Sequence, residues 1–493
     1  MNQSRISTAA APIDFDAIRT ELGIPEKFPD AVDKAAVAAV DRGPLLAPDR
    51  ADRTELEFVT LDPVGSKDLD QAVLIQRSGP GYRVFYAIAD VAAWVDPGGP
   101  IEVESFARGV TLYSPDHSTP LHPLVLSEGG ASLLPDVRRP AVLWTIELDA
   151  AGKTGAVQLE RAWVRSRAKL DYTSAQQALD AGTLHPSIAL LAEVGRLRQD
   201  LARQRHAITL DLPDIEVFAT SEVPGAGDWR LGRRALLPIE QYNAEISLLT
   251  GMAAASIMLD GGVGILRTLP APNNGQIAAL RRATAALGIP WPPGTPPGDI
   301  VAQLDGDDPK QAAFLEHAAR LLRGAGYFPF NHAAPPRTDV AFDHTVPSLT
   351  DHAGVGAPYA HVTAPLRRLV DRFGTEICLA LTAGKPEPDW VTSRLEELPK
   401  VMAAADQKAN RLEKACIGAV GAFLLAGREG ELFEATVLLV DREQETATVV
   451  LTEPPVRAKC DADGLAEGDT VQVELVSADP TSHTYRVRLA PAA

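Results

Sequence analysis

The spacing of apolar side chains changes character twice along the chain. Up to about residue 50 it is helical. Asp14 stands where an N-cap would bring Ile18 and Leu22 onto one face, and Val32, Ala36 and Val40 recur every four residues in a second helix from Pro29 to Val40. From Leu56 the alternation is that of strands. LEFVTLD, AVLIQ and YRVFYAIADVAAWV are rich in β-branched and aromatic residues. Ser78-Gly79-Pro80-Gly81 turns between two of these runs, and Ala151-Gly152 joins RPAVLWTIELD to VQLERAWVRS. Residues 56–170 are therefore predicted to form an antiparallel sheet region.

Helical spacing then returns. SIALLAEVGRLRQDLARQRHA puts Leu190, Leu191, Val194, Leu197 and Leu201 on one stripe, and EISLLTGMAAASIML is apolar on most sides, as a buried helix is. PKQAAFLEHAARLLRGAG is a third helix, closed by Gly324 or Gly326, with the Pro/Gly-rich IPWPPGTPPGD before it. LRRLVDRFGTEICLALTAG and a long segment from Ser393 through Ala426 follow. After Leu432, five short strand-like runs crowd into about sixty residues, the pattern of a small OB-fold barrel. The expected fold class is α+β in three parts: a helical module over 1–50, a catalytic-sized domain over 51–428 with an antiparallel sheet and surrounding helices, and an all-β barrel over 429–493.

Composition refines this. Of 493 residues, 45% are hydrophobic and 23% charged, enough for a large core without staples. Cys378, Cys416 and Cys460 are far apart and odd in number, so they read as reduced structural thiols. The opening MNQSRISTAAAPIDFD has no apolar core of a signal peptide, and no apolar run reaches 18 residues. A cytoplasmic monomer without membrane contact is the expectation. The net charge of −18 argues against a nucleic-acid partner, but the arginines are grouped: Arg138–Arg139, Arg161–Arg165–Arg167, Arg233–Arg234 and Arg367–Arg368–Arg372. They are either ordinary solvated side chains or the lining of a basic channel in an acidic body.

Two short segments carry candidate chemistry. Asp62-Pro63-Val64-Gly65-Ser66-Lys67-Asp68-Leu69-Asp70-Gln71-Ala72 sets three carboxylates within nine residues between two strands. In an extended strand Asp68 and Asp70 share a face, and the loop can fold Asp62 back toward them. Such charges repel unless a cation or protons neutralise them, and oxygen donors select Mg²⁺ or Mn²⁺ over zinc. The alternative is a polar turn with solvated aspartates. The second segment is Tyr359-Ala360-His361-Val362-Thr363-Ala364-Pro365-Leu366-Arg367-Arg368-Leu369-Val370-Asp371. With Thr363 as N-cap and Pro365 in the first turn, unpaired amides and two arginines would make an anion site. The alternative pairs Arg368 with Asp371 as a surface salt bridge.

Together the two segments resemble the ribonuclease II, or RNB, family. Its first motif is an Asp followed six residues later by Asp-x-Asp-Asp-Ala; Asp62, Asp68, Asp70 and Ala72 match, while Gln71 stands where the fourth Asp would be. Its second, Thr-Ser-Pro-Ile-Arg-Arg-Tyr-x-Asp, is similar to Thr363–Asp371 apart from Ala364, Leu366 and Leu369. The stretch from AIADVAAWV to GGASL resembles the one carrying an RNA-contacting tyrosine, here Tyr113. SRAKLDYTSAQ resembles that of a second tyrosine, Tyr172, and AEISLLTGMAAASIML that of a functional glutamate, Glu245; Glu413 resembles another on the late helix. The resemblance implies processive 3′→5′ hydrolysis of single-stranded RNA to nucleoside 5′-monophosphates. It implies Asp62, Asp68 and Asp70 around magnesium, Asp70 and Arg367 in the chemistry, and Tyr113, Tyr172, Glu245, Arg367, Arg368 and Glu413 on the RNA. Two departures stand out beside Gln71. A second base-clamping aromatic would fall in HAITLDLPDIEV, where Thr209 and Leu210 stand, and the family's paired cold-shock barrels have only about fifty helical residues in their place. The rival expectation, favoured by Gln71, is a non-catalytic RNA-binding regulator that keeps the channel.

Overall fold

Asp14 accepts a hydrogen bond from the Ala17 amide at 2.9 Å and so opens α1 (Phe15–Glu21), the cap its sequence implies. A computed structural model describes residues 13–45, 49–209, 214–221, 228–320, 323–332 and 351–490 of the protein. The helix α2 (Asp30–Arg42) buries Val32, Ala36 and Ala39 on one face. Among the described residues the two N-terminal helices share no core of their own. Phe15 and Ile18 join the cluster under the C-terminal barrel, whereas Val32 and Ala36 pack with Trp94 and Leu74 of the sheet domain.

The sheet is built from β1 (Ala51–Asp52), β2 (Phe58–Asp62), β3 (Gln71–Ser78) and β4 (Gly81–Ala89). After α3 (Pro100–Arg108) and a small hairpin, β5 (Leu112–Tyr113) with β6 (Ser118–Thr119), it is completed by β7 (Arg138–Leu148) and the 18-residue β8 (Thr154–Asp171). The order is β1-β8-β2-β3-β4-β7, with β8 pairing again with β7. The sheet thus closes on itself, and the expectation of an antiparallel sheet is corrected: β8 runs antiparallel to β7 but parallel to β1 and β2, from Phe58↔Ser166 to Asp62↔Asp171. The reason is parity. Five strands joined with alternating direction bring the last beside the first pointing the same way, and β8 is long enough to serve both neighbours. Alternation sends Val59, Leu61, Tyr86 and Trp144 to one face and Phe58, Leu74, Ala87 and Leu143 to the other.

The first face is covered by helices: α4 (Tyr172–Asp180), capped by Asp171, then α5 (Leu191–Gln204) and the buried α6 (Pro238–Gly261); between α5 and α6 the hairpin β9 (Asp214–Ala219) and β10 (Trp229–Arg234) joins the core under the barrel instead. Next come β11 (Gly264–Thr268), α7 (Asn274–Leu287), α8 (Pro297–Val301), α9 (Pro309–Ala319) and β12 (Gly326–Phe330). α7 was not anticipated, although Asn273 and Gln276 form a capping box. α9 ends at Ala319 rather than running on to the glycines. A short pair, β13 (Asp351–His352) and β14 (Ala357–Pro358), leads to α10 (Leu369–Thr382), α11 (Asp389–Thr392) and α12 (Leu398–Leu425). The five expected strands of the barrel are all present: β15 (Leu432–Asp441), β16 (Thr446–Leu451), β17 (Arg457–Asp461), β18 (Thr470–Asp479) and β19 (Thr484–Leu489), in the order β17-β16-β15-β18-β19.

Two of the arginine groups turn out to be partly internal. Arg161 joins Asp90 and Glu376, Arg50 joins Asp90 at 2.7 Å, and Arg372 pairs with Glu102 at 2.8 Å, all largely out of water. Those charges brace the sheet against α3 and α10. All three cysteines are buried free thiols. Among the described residues no helix is long and apolar enough to cross a membrane.

Candidate active site

β2 delivers Asp62 at its C-terminal end, and the chain then turns through Gly65, whose φ of 87° is open to glycine. Ser132 pins the return. Its hydroxyl donates to the Lys67 carbonyl at 2.6 Å and accepts from the Leu69 amide at 3.0 Å, while the Leu133 amide donates to the Leu69 carbonyl. That grip fixes Asp68 and Asp70 on either side of the buried Leu69. Asp70 is only 3% exposed. One of its oxygens accepts from the Leu366 amide at 2.7 Å, and the other lies 3.7 Å from Nε of Arg367. Two segments 296 residues apart thus meet at one carboxylate.

The electrostatics follow from this crowding. Burial raises the Asp62 carboxyl to about 7, with Asp68 adding to the rise and Lys169 and Arg367 opposing it. Burial also raises Asp68 and drives Asp70 well above the usual carboxylate range, against the pull of Arg367. Asp62 Oδ2 is buried with no hydrogen-bond donor among the described residues. Desolvated carboxylates with an unmatched oxygen are what a hard divalent ion would relieve. Among the described residues no group of three or more acidic, His or Cys side chains is placed to hold a metal ion together. Magnesium does not require such a group, since it binds through one or two carboxylates plus phosphate and water. The donor set therefore fits such an ion.

The second segment does not form the expected helix N-terminus. α10 starts at Leu369 with Arg368 at the cap position, and Thr363 caps nothing; its hydroxyl is 2.8 Å from that of Ser247. The amides are occupied: Ala364 donates to Asp371, Leu366 to Asp70, Arg367 and Arg368 to the Ala364 carbonyl, and Leu369 to the Gly109 carbonyl. The expected amide anion site is corrected on that ground. Arg368 and Asp371 do pair, Nε and Nη2 on one guanidinium edge each donating to a carboxylate oxygen at 2.9 Å, but Asp371 is fully buried, so this is an internal clamp on the loop rather than a surface salt bridge. Arg367 keeps 44% of its side chain exposed beside Asp70.

α6 explains why the loop lies where it does. Asn243, Ser247 and Gly251 recur at four-residue intervals. Asn243 donates to the Tyr172 hydroxyl, Ser247 meets Thr363, and the Gly251 carbonyl accepts from Ala360. This small polar stripe on an otherwise apolar helix was readable in the sequence and was missed. Gln71 was also underestimated. Its amide donates to the Thr363 carbonyl at 2.6 Å, and its oxygen accepts from the Tyr86 hydroxyl at 3.0 Å. It ties β3 to the loop instead of adding a charge. His122, buried and hydrogen-bonded to the Pro365 backbone and near Ser105, is a further unforeseen support.

The other named residues divide. Tyr172 opens α4 and feels the charge of Asp62. Tyr113 is 55% exposed, and its phenol is pushed up by the protein packed around it and by the charge of Asp68, with Arg367 opposing. Glu245 lies two residues off the α6 stripe and is influenced by Arg198 and Arg205, with one buried oxygen lacking a donor among the described residues. Glu413 lines a cavity of about 510 Å³ between α12 and the barrel, with Arg233 and Arg457. The structure brings Asp62, Asp68, Asp70, Arg367, Arg368, Tyr113 and Tyr172 together; Glu245 and Glu413 sit apart. Leu210 lies outside the described residues.

Comparison with known proteins bears on the family and the fold. The RNB domain matches residues 50–376, and the C-terminal S1 domain of RNase II-type exonucleases matches residues 431–490. Ribonuclease R of Escherichia coli is 27% identical over 379 residues, 72% of this chain and 43% of the relative. Exoribonuclease 2 of Yersinia enterocolitica is 34% identical over 379 residues, 73% of this chain and 55% of the relative. The chain spans about half the length of the curated relatives it matches. Among solved structures, Mycoplasma genitalium RNase R bound to ribose-methylated single-stranded RNA superposes with a TM-score of 0.83 at 19% identity, covering 97% of this chain and 77% of that one. That likeness speaks for the fold alone.

Proposed function

The chain belongs to the RNB-domain family, and from that premise we propose that it is a hydrolytic, processive 3′→5′ exoribonuclease that degrades single-stranded RNA to nucleoside 5′-monophosphates. The observation that carries the proposal is the meeting of Asp70 with Leu366 and Arg367. An acidic group and a half-exposed guanidinium side by side suit a scissile phosphate.

In this reading Asp62 and Asp68 hold a magnesium ion, manganese being an acceptable substitute. Bound there, the ion supplies an activated water and neutralises charge on the phosphate. The remaining work belongs to the chain's own groups. Asp70, fixed by the Leu366 amide, orients the attacking water. Arg367 grips the non-bridging oxygens and stabilises the charge that grows on them. Arg368, with its fork on Asp371, keeps the loop rigid and adds positive field. Tyr113 stacks on the 3′-terminal base, and Tyr172, held by Asn243, approaches the 2′-hydroxyl that marks RNA. Glu245, on the α5 side of α6, is the second candidate for the sugar. Glu413 would meet the strand where it passes the barrel.

The alternative, an RNA-binding regulator without activity, draws on Gln71, whose side chain is engaged by Thr363 and Tyr86 where the family motif has a fourth carboxylate. One experiment separates the two. A 5′-labelled oligoribonucleotide should shorten from its 3′ end in magnesium and stay intact in EDTA. Asp70→Asn should still bind it but stop turnover. An intact substrate with the wild-type protein in magnesium or manganese would establish the regulator instead.

A further inference from the structure

The N-terminal helix α1 meets the turn that follows Tyr113 through one charged side chain. Arg19 is 4% exposed, and its guanidinium grips the turn between β5 and β6. Nη1 donates to the Ser114 hydroxyl at 2.5 Å and to one oxygen of Asp116 at 2.7 Å; Nη2 donates to the other oxygen at 2.8 Å, and to Asp16 on its own helix. A bidentate fork of this kind fixes orientation as well as distance. The turn is also tied to itself, since the Ser114 amide and hydroxyl both donate to the His117 carbonyl. Immediately before it stands Tyr113.

The strand that carries Tyr113 is anchored at two other points. Leu112 faces inward and shares a core with Phe15 and Ile18 of α1, Trp229 of β10 and Leu412 of α12. Phe15 packs edge-on against Trp229 at 5.3 Å. Upstream, the Thr111 amide donates to the Arg367 carbonyl at 3.0 Å, and Val110 bridges to Arg368. Strand alternation then turns Tyr113 away from that core, toward Asp68 and Arg367. The ring is held from the loop side by backbone bonds and from the turn side by Arg19.

We propose that Arg19 is a positioning residue that, by clamping Ser114 and Asp116, sets where Tyr113 sits over the carboxylates and so how the 3′-terminal base is received. This rests on the exoribonuclease reading. A helix at the N-terminus would then act on the last nucleotide without touching it. The competing account is that the Arg19 contacts only fasten α1 to the body. That account predicts lower stability with unchanged handling of the RNA end.

The test compares oligoribonucleotides ending in a normal 3′ nucleotide or a 3′ abasic one. Base–aromatic stacking makes the wild-type kcat/KM about tenfold higher on the normal end, chiefly through KM. Tyr113→Ala and Arg19→Met should both lose that preference, and the double variant should lose no more than either alone. Asp116→Asn, the milder lesion if Arg19→Met folds poorly, should lose part of it, and Arg19→Lys should recover part. Arg42→Ala in α2, which removes an exposed pair with Asp96, should keep the full preference. If Arg19→Met and Asp116→Asn retain the preference while Tyr113→Ala loses it, Arg19 is a fastener and the inference is wrong. If the wild-type protein releases no nucleotide from either RNA, the enzymatic reading itself has failed. In that case the same end preference, measured as binding affinity, still decides the role of Arg19.

Discussion

Single side chains set the chemistry here mainly through burial. His122 is a clear case. It is sealed from water, and burial with Arg372 and Arg108 nearby lowers its imidazole to about 3, so it is neutral in the fold. In the unfolded chain it titrates near 6.5. A depressed folded value means stability that is complete above pH 6.5 and is lost as pH falls toward 3. Between pH 7 and pH 5 His122 should withdraw about 2 kcal/mol from unfolding. Urea midpoints measured across that range should decline less steeply in His122→Asn than in the wild type. The residue scale also shows what the sequence could disclose about the site. The convergence of Asp62, Asp68, Asp70 and Arg367 was legible through two motifs that resemble a known family; from the residues alone a solvated polar turn stayed open. Gln71, Ser132 and His122 were not legible, because each acts on a backbone group of a distant segment, and no local pattern records such a partner. Spacing likewise offered the pairing of Arg368 with Asp371, but not the burial that makes the pair a clamp.

Among the elements, α6 bears the site most directly. Gly251 lets the Tyr359–Thr363 segment lie against it. A Cβ there would come within 2.1 Å of the Tyr359 ring and 2.6 Å of the Ala360 carbonyl. Gly251→Ala should therefore destabilise the protein by about 1–3 kcal/mol, the usual penalty of overpacking. It should also depress hydrolysis more than RNA binding, since the loop carrying Arg367 moves with Tyr359. Thermal unfolding and turnover on a labelled oligoribonucleotide would check both; unchanged turnover would mean the loop is placed independently of α6. Period and punctuation in the sequence identified α1, α2, α5, α10, α12 and the five barrel strands. They failed where tertiary context decides: β8 reads as one strand of a hairpin, but its parallel pairing with β2 is settled by ring closure. The capping box of α7, Asn273 with Gln276, was present in the sequence and went unread.

At the scale of the whole molecule, the barrel is fused to the body through a shared core. Phe15, Ile18, Leu412 and Val420 are buried in one cluster with Val437, Val449 and Leu475. Each such side chain is worth about 1.5–3 kcal/mol when buried, and their sum rivals the 5–15 kcal/mol that holds a typical domain together. A chain ending at Ala426 should lose soluble, cooperatively folded protein, and not merely affinity for RNA. Calorimetry and dye binding would show this, whereas a truncated protein with an intact unfolding transition would argue for an independent barrel. The same long-range wiring has a consequence for synthesis. β2 lacks its parallel neighbour until residues 166–171 follow, and Asp70 lacks its amide donor until Leu366 does. At about 5–20 residues per second, the 296 residues between Asp70 and Leu366 take on the order of 15–60 s to translate. Throughout that interval the nascent chain carries its acidic loop without the amide donor and guanidinium that complete the centre; on the exoribonuclease reading, the message beside it is spared until Leu366 and Arg367 arrive.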